Sequence, residues 1–323
     1  MMKVKKLIAL TLACVTVMAG FAGCGKKNDE VYEIGICQLV QHAALDAATQ
    51  GFQDALTEKL GERVQFDLKN ASNDVPTCGT IVNQFVADKV DLIMANATPS
   101  LQSAFAATAD IPIVATSITD YATALDIDDW TGKTGFNVTG TCDLAPLDEQ
   151  AAMIKELFPD AKKVGILYCS AEANSKYQAV KVAEYLTALG IESEEFTCAD
   201  TNDVAMVTSA ACAASDVIYI PTDNMMASST GIVDGVAGPA GVPIVAGEAG
   251  ICGGCGVATL SIDYYSIGYA AGLQAYEILE NGKNPAEMEI GYATELTKQY
   301  VADRCTAFGV TVPDSYEAMV VEE

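Results

Sequence analysis

Two segments of the chain share one pattern: an aspartate, a run of apolar residues, then small polar residues beside a proline. They are DLIMANATPS (91–100) and DVIYIPTDNM (216–225). Short apolar runs bounded by turn residues predict strands buried on both faces. The same pattern recurs in EIGICQLV, IPIVATS, KVGILYCS and VPIVAGE, while VQFDLKNA and IESEEFTCA are more polar strands. Between them the period lengthens to that of a helix. Leu45, Ala48, Phe52, Ala55, Leu56 and Leu60 fall on one helical face that Gly61 ends, and Ile81, Val82, Phe85 and Val86 form the inward face of the next helix. A third helix runs from about Pro99 to Ala109.

From Lys163 the order returns. After KVGILYCS comes a helix with Tyr177, Val180, Ala183, Leu186 and Leu189 on one face, then a strand, a helix over NDVAMVTSAACAAS, DVIYIPTD, a helix near Met225 to Val236, and VPIVAGE. A further helix carries Ile267, Ala271, Ala275 and Ile278 or Leu279 inward, and ELTKQYVADRCTAFGV follows. Alternating strands and helices predict an α/β protein with parallel sheets covered on both faces. The doubling predicts two Rossmann-like lobes joined by a multi-strand hinge, residues 31–140 plus 263–290 and residues 141–262 plus 291–323. The chain crosses near 137–141, 259–263 and 291–295, and several crossings make a hinge. Ligands of such sheets bind beyond the carboxyl ends of the strands. The tips QLVQHAALD, NATPS, TSITD, CSAEANS, PTDN and GEAG therefore face a common cleft. Ser, Thr, Asn and Asp are also the preferred helix caps, so each such residue has a capping reading beside the binding one.

The N-terminus adds an address. Residues 1–23 read as a secretory signal, with Lys3, Lys5 and Lys6 ahead of an apolar run too short to span a bilayer. Its end, FAGC, resembles a lipobox, which makes Cys24 the lipidated first residue of the mature chain and 24–30 a polar tether. The formal net charge of −25 excludes nucleic acid and anionic lipid surfaces as partners. Nine cysteines remain beyond Cys24, an odd number placed mostly in apolar elements, which predicts thiols packed as small hydrophobes. CGGC at 252–255 has a redox or metal half-site as one reading and a glycine-rich turn with two thiols as the other. No GxSxG elbow, Walker loop, dinucleotide fingerprint or metal-ligand spacing is present, so neither enzyme nor cofactor is expected. His42 beside Cys37 or Ser175 is the only base and nucleophile arrangement to weigh, and a lone histidine opening a helix reads first as a polar cap.

QLVQHAALDAATQGF, DLIMANATPS, IPIVATSITD, NVTG, LYCSAEANS, IYIPTDN and SIDYYSIGYAAG together resemble the ABC-transporter substrate-binding lipoproteins whose characterised members bind tryptophan, phenylalanine or tyrosine. Two places depart from that family's pattern: Gln41, His42 and Ala43 stand for Glu-His-Pro, and Asp120 and Tyr121 for Asp-Pro. The resemblance implies a periplasmic-binding-protein fold, a small amino acid as ligand, an ABC permease as partner, a monomer and a lipid anchor outside the cytoplasm. A sensing receptor or an adhesin on the same fold, or a secreted enzyme, are the alternatives. The candidate ligand-binding residues are Gln41, Leu45, Asp46, Thr98, Ser117, Asp120, Tyr121, Glu172, Asn174, Ser175, Thr222, Asp223, Asn224 and Tyr264. With Arg63 and Arg304 the only arginines, the ligand carboxylate falls to helix N-termini at Thr98 to Ser100 and Asn174 to Ser175. Asp223 or Asp46 would take the ammonium, and Leu45, Tyr121 and Tyr264 would flank an apolar side chain.

Overall fold

The computed structural model describes residues 31–321; the signal segment, Cys24 and the tether lie outside them. The first half runs β1 (Tyr32–Gln38), α1 (Ala43–Leu60), β2 (Val64–Asn70), α2 (Val75–Asp88), β3 (Leu92–Asn96), α3 (Thr98–Ala107), β4 (Ile113–Ile118), α4 (Tyr121–Leu125) and β5 (Val138–Cys142). After α5 (Leu147–Leu157) the plan repeats as β6 (Lys163–Cys169), α6 (Ala173–Ala188), β7 (Glu192–Cys198), α7 (Val204–Ala214), β8 (Val217–Ile220), α8 (Asn224–Ser228), α9 (Thr230–Ala240), β9 (Ile244–Ala246), α10 (Ala249–Cys255) and β10 (Ala258–Ser261). The chain closes with α11 (Tyr264–Asn281), β11 (Gly291–Tyr292), β12 (Thr297–Tyr300), α12 (Ala302–Ala307) and β13 (Glu317–Ala318).

Two sheets result, in the orders β11-β5-β4-β3-β1-β2 and β13-β12-β10-β9-β8-β6-β7. Every pairing is parallel except β12 against β10. Sheet membership changes after Cys142, after Ser261 and after Tyr292. The first and third changes fall two residues beyond the boundaries expected from the sequence, because β5 and β11 pair with each other to the ends of the first sheet. In both sheets the strand order reverses direction beside the first strand of its copy, β1 and β6, which is where such folds hold ligands.

Each sheet is covered on both faces. Phe52, Leu56, Ala271 and Ala275 pack on one side of the first sheet and Phe85, Leu101 and Tyr121 on the other. The inward faces of α1, α2 and α11 are those that the periodicity predicts, with Ile81 and Val86 half-buried. That of α6 is not: Val180 and Leu189 are exposed, and Asn174, Ser175, Gln178, Ala179, Val182 and Leu186 are buried. The segment from Met225 to Val236 is broken at Ser229 into α8 and α9. CGGC is helical, not a turn: it forms α10, where a Cβ on Gly254 would come within 2.4 Å of the Thr230 side chain. Both of its thiols are buried, and burial pushes that of Cys255 up to about 12, far from a reactive thiolate. The nine cysteines of the described residues are free thiols.

The helices α1 and α11 lie unusually close. A Cβ on Gly51 would meet the Tyr265 carbonyl oxygen at 2.2 Å, and one on Gly268 would meet that of Ala48 at 2.0 Å. Backbone is thus packed on backbone, with no side chain between. The contact ties the start of the chain to its last long helix, and the N-terminal ends of both helices reach the cleft.

Candidate functional site

The strand tips converge on one small cavity. It is lined by His42 and Leu45 from the start of α1, by Ser117 and Thr119 after β4, and by Asp143 after β5. Asn174, Thr222, Asp223, Asn224, Ala227 and Glu248 face them from the second lobe, with Tyr264 at the start of α11. The enclosed space is about 10 Å³, room for roughly one water molecule. His42 Nε2 lies 3.2 Å from Asn224 Oδ1 across the cleft. Admitting a larger ligand therefore requires the lobes to part along the three crossing segments, and the loaded cavity to be wider than this one.

Local structure explains how these side chains are presented. The pairing of β4 with β5 shifts register between Ala115 and Ile118, and Ser117 within this bulge has φ 58°. A non-glycine residue held there marks a position that the surroundings enforce. Behind α1, Thr49 Oγ1 donates to Gln38 Oε1 at 2.7 Å, and Asn96 Nδ2 donates to the Leu45 carbonyl at 2.8 Å and to Thr49 Oγ1 at 2.9 Å. This polar network fills the first lobe's strand-order reversal and fixes the start of α1.

Four buried carboxyl groups surround the cavity, and no lysine or arginine lines it. Asp143 accepts from Tyr264 Oη at 2.9 Å and from Thr119 Oγ1 at 3.2 Å; burial pushes it up to about 6 against those two hydroxyls. Glu248 caps α10 through the Ile251 and Gly250 N–H groups at 2.5 and 2.6 Å, and burial pushes it to about 7. Glu172 accepts from Met225 N, Asn224 Nδ2 and Asn174 Nδ2, and burial together with the Asp223 charge raises it to about 8. Asp223 is also raised by burial, although Cys169 N and Met226 N donate to its two oxygens at 2.7 and 2.8 Å. Unpaired negative charge in a dry site is costly unless a cation arrives. Three buried polar atoms on lining residues have no partner: His42 Nδ1, Ser117 Oγ and Asn174 Oδ1.

The expected residues divide clearly. Leu45, Ser117, Asn174, Thr222, Asp223, Asn224 and Tyr264 line the cavity, and Glu172 stands directly behind Asn174 and Asn224. Ser175 is buried a layer deeper, where Asn174 Nδ2 reaches its hydroxyl. Gln41 and Asp46 are exposed, Asp46 accepting from Gln38 Nε2. Asp120 caps α4 through the Thr123 N–H. Thr98 is buried at the start of α3 and does not line the cavity. Tyr121 belongs to the core, its hydroxyl donating to the Ala115 and Thr141 carbonyls and its ring stacked on Trp130. Asp223 lines the cavity while each of its oxygens accepts a backbone N–H, from Cys169 and Met226. His42 makes no capping hydrogen bond to α1, contrary to the cap reading. Thr119, Asp143, Ala227 and Glu248 join the site without having been singled out; Thr119 and Glu248 lie in strand tips whose convergence the sequence does indicate.

Two lobes with parallel sheets, a hinge of three crossings and a polar cavity at the strand tips define a periplasmic-binding-protein fold. The chain belongs to the ABC transporter substrate binding protein family, whose model matches residues 33–318. It is 38% identical over 306 residues to a tyrosine-binding protein of Clostridioides difficile (strain R20291), covering 90% of this chain and 88% of that protein. The crystal structure of an ABC domain in complex with L-Trp from Streptococcus pneumonia matches with a TM-score of 0.86 at 30% identity, over 90% of this chain and 100% of that one. The ligand-free, open structure of a substrate-binding protein with adhesive properties from Clostridium difficile matches at 0.68 with 36% identity, over 90% and 100% of the two chains. The more distant sequence is the closer shape. With the cleft bridged by His42 and Asn224, the lobes here stand closed on one another. These relatives are binding proteins, and family membership implies a place outside the cytoplasm. No helix among the described residues is long and apolar enough to cross a membrane.

Proposed function

We propose that this protein is the substrate-binding lipoprotein of an ABC importer, holding one free aromatic amino acid between its lobes and delivering it to a permease. The observation that carries the reading is the ring of buried carboxyl groups with no lysine or arginine among the lining residues. Such a cavity accepts an ammonium and leaves the ligand carboxylate to hydroxyls such as that of Ser117. Asp143 is the ammonium partner in this reading, in place of Asp223. It is held by two side-chain hydroxyls, whereas Asp223, Glu172 and Glu248 each cap backbone N–H groups. The aromatic part rests on the relatives that bind tyrosine and L-Trp. Calorimetric titration with tryptophan, tyrosine, phenylalanine, leucine and an N-acetylated aromatic tests it: the free aromatic amino acids bind, and the N-acetylated one does not. Equal binding of leucine removes the aromatic assignment, and equal binding of the N-acetylated ligand removes the ammonium site.

Anchoring through Cys24 is part of the same proposal and rests on FAGC at the end of the signal. Cys24→Ala is expected to leave the protein unprocessed or released, since the acyl chains supply most of its membrane affinity; membrane fractionation with intact-mass analysis reads the outcome. An Ala variant that fractionates with membranes at the wild-type mass excludes the anchor. Adhesion is a second reading, favoured by the adhesive relative at 36% identity, and it predicts host-surface binding that survives loss of the permease.

A further inference from the structure

A chain of hydrogen bonds sets the state of His42 from outside the ligand's reach. Glu172 is buried at the N-cap of α6, and its carboxyl group receives the Met225 N–H at 3.0 Å, the Asn174 side-chain amide at 3.1 Å, and both N–H groups of Asn224, backbone at 3.2 Å and side chain at 2.6 Å. Because the Asn224 amide nitrogen is committed to Glu172, its oxygen is the atom turned toward His42. An amide oxygen only accepts, so His42 Nε2, 3.2 Å away, carries the proton and donates. Burial lowers the His42 pKa, which keeps the ring neutral, and a neutral imidazole protonated at Nε2 has a bare lone pair at Nδ1. That atom is buried without a partner, on a residue that lines the cavity beside Leu45 and Ala227. Asn174 repeats the arrangement: its nitrogen donates to Glu172, Ser175 and Thr222, and its buried oxygen has no partner. The lining thus offers two unpaired acceptors, His42 Nδ1 and Asn174 Oδ1, in addition to its carboxyl groups.

We propose that His42 determines ligand preference: its Nδ1 lone pair accepts a hydrogen bond from an N–H or O–H at the end of the ligand side chain, so a phenol or indole is held in preference to a plain phenyl ring. The inference rests on the amino-acid reading above and adds to it which aromatic side chains are retained. A buried acceptor left unpaired by phenylalanine costs binding about tenfold or more. The physical logic is that of any site built to pair a ligand hydroxyl, which rejects the analogue lacking it.

Titration of the purified protein with tyrosine, tryptophan and phenylalanine is the first measurement. The wild type is expected to bind at least one donor-bearing ligand about tenfold or more tighter than phenylalanine, and in His42→Phe the ratio of the affinities is expected to fall to about one, whatever the variant's absolute affinity. Equal wild-type affinities for all three, or a preference that survives His42→Phe, overturn the role of His42 and leave the amino-acid reading standing. If none of the three binds the wild type, the reading and this inference fall together. Should the variant not fold, the unmodified protein still decides. His42 is the only histidine in the sequence, so selective ¹⁵N-histidine labelling reports one ring. Nδ1 is expected at the unprotonated, pyridine-type position and to move upfield with the donor-bearing ligand but not with phenylalanine. A protonated Nδ1 in the ligand-free protein, or the same movement with both ligands, sinks the proposal.

Discussion

Asp143→Asn is expected to weaken amino-acid binding by about 2–5 kcal/mol, much of it from leaving the ligand ammonium buried beside a neutral amide. The corresponding loss in affinity is about thirtyfold to several thousandfold. The substitution keeps the size of the side chain and an oxygen for the Tyr264 or Thr119 hydroxyl, so folding should survive. Asp223→Asn provides the contrast. It replaces one of the oxygens that serve Cys169 N and Met226 N, and its principal effect is expected on thermal stability. Titration of tyrosine into each variant, with melting curves alongside, separates the two. If Asp143→Asn binds like wild type while Asp223→Asn fails to bind in a folded state, the ammonium sits at Asp223 after all.

The ligand-free protein is expected to become less stable as pH rises from about 4.5 to about 8. Asp143, Glu248 and Glu172 have ordinary values of 3.8 or 4.5 and are pushed to about 6, 7 and 8 in the fold, and Asp223 is raised with them. A carboxyl group with a raised value binds its proton more tightly folded than unfolded. Its stabilising contribution is present below the unfolded value and is lost as pH climbs through the folded one. For Asp143 alone the shift corresponds to about 3 kcal/mol, roughly 5 °C in melting temperature for a chain of this size, and the other three groups act in the same direction. Groups held low act with the opposite sign: carboxylates such as Asp216 beneath the Lys162 and Lys163 N–H groups below about pH 4, and the single histidine, His42, which burial lowers from 6.5, below that value. Calorimetric melts at half-unit steps, with Asp143→Asn and Glu172→Gln expected to flatten the slope, test this. A wild-type profile that is level or rising between pH 5 and 8 would contradict the buried-acid description.

Periodicity exposed the sheets because their strands are buried on both faces and read as unbroken apolar runs. It misassigns the inward face of α6. The cleft end of that helix buries Asn174, Ser175 and Gln178, and a buried polar stripe is invisible to a hydrophobic count, which instead rotated the face toward Val180 and Leu189. The same logic separates the site residues. Thr222, Asp223 and Asn224 stand out because the repeat marks their strand tip, but Asp143 follows β5, which has the look of a crossing rather than a tip. Tyr121 reads in the sequence as an aromatic next to a tip. Gly140 explains its absence from the cavity: with no Cβ at φ 148°, it leaves room for the Tyr121 hydroxyl to reach the Ala115 carbonyl. Whether an aspartate at a tip caps a helix or meets a ligand depends on its remaining donors, and those come from segments far away in the chain.

The contact of α1 with α11 also constrains the order in which the molecule is completed. A polypeptide that has emerged from its N-terminus as far as Ser261 contains β1 to β5 and yet lacks the helix that covers Phe52 and Leu56 on that sheet. The second lobe also waits, since β12 lies beyond α11. Neither half can therefore finish as a vectorial unit, in contrast to chains whose domains fold one after another during emergence. The part of the first sheet's apolar face that α11 covers stays bare until most of the chain is available, and it is this last long helix that sets Tyr264 against Asp143. Packing of α11 thus completes both the cavity lining, through Tyr264, and the burial of that face, through Ala271 and Ala275.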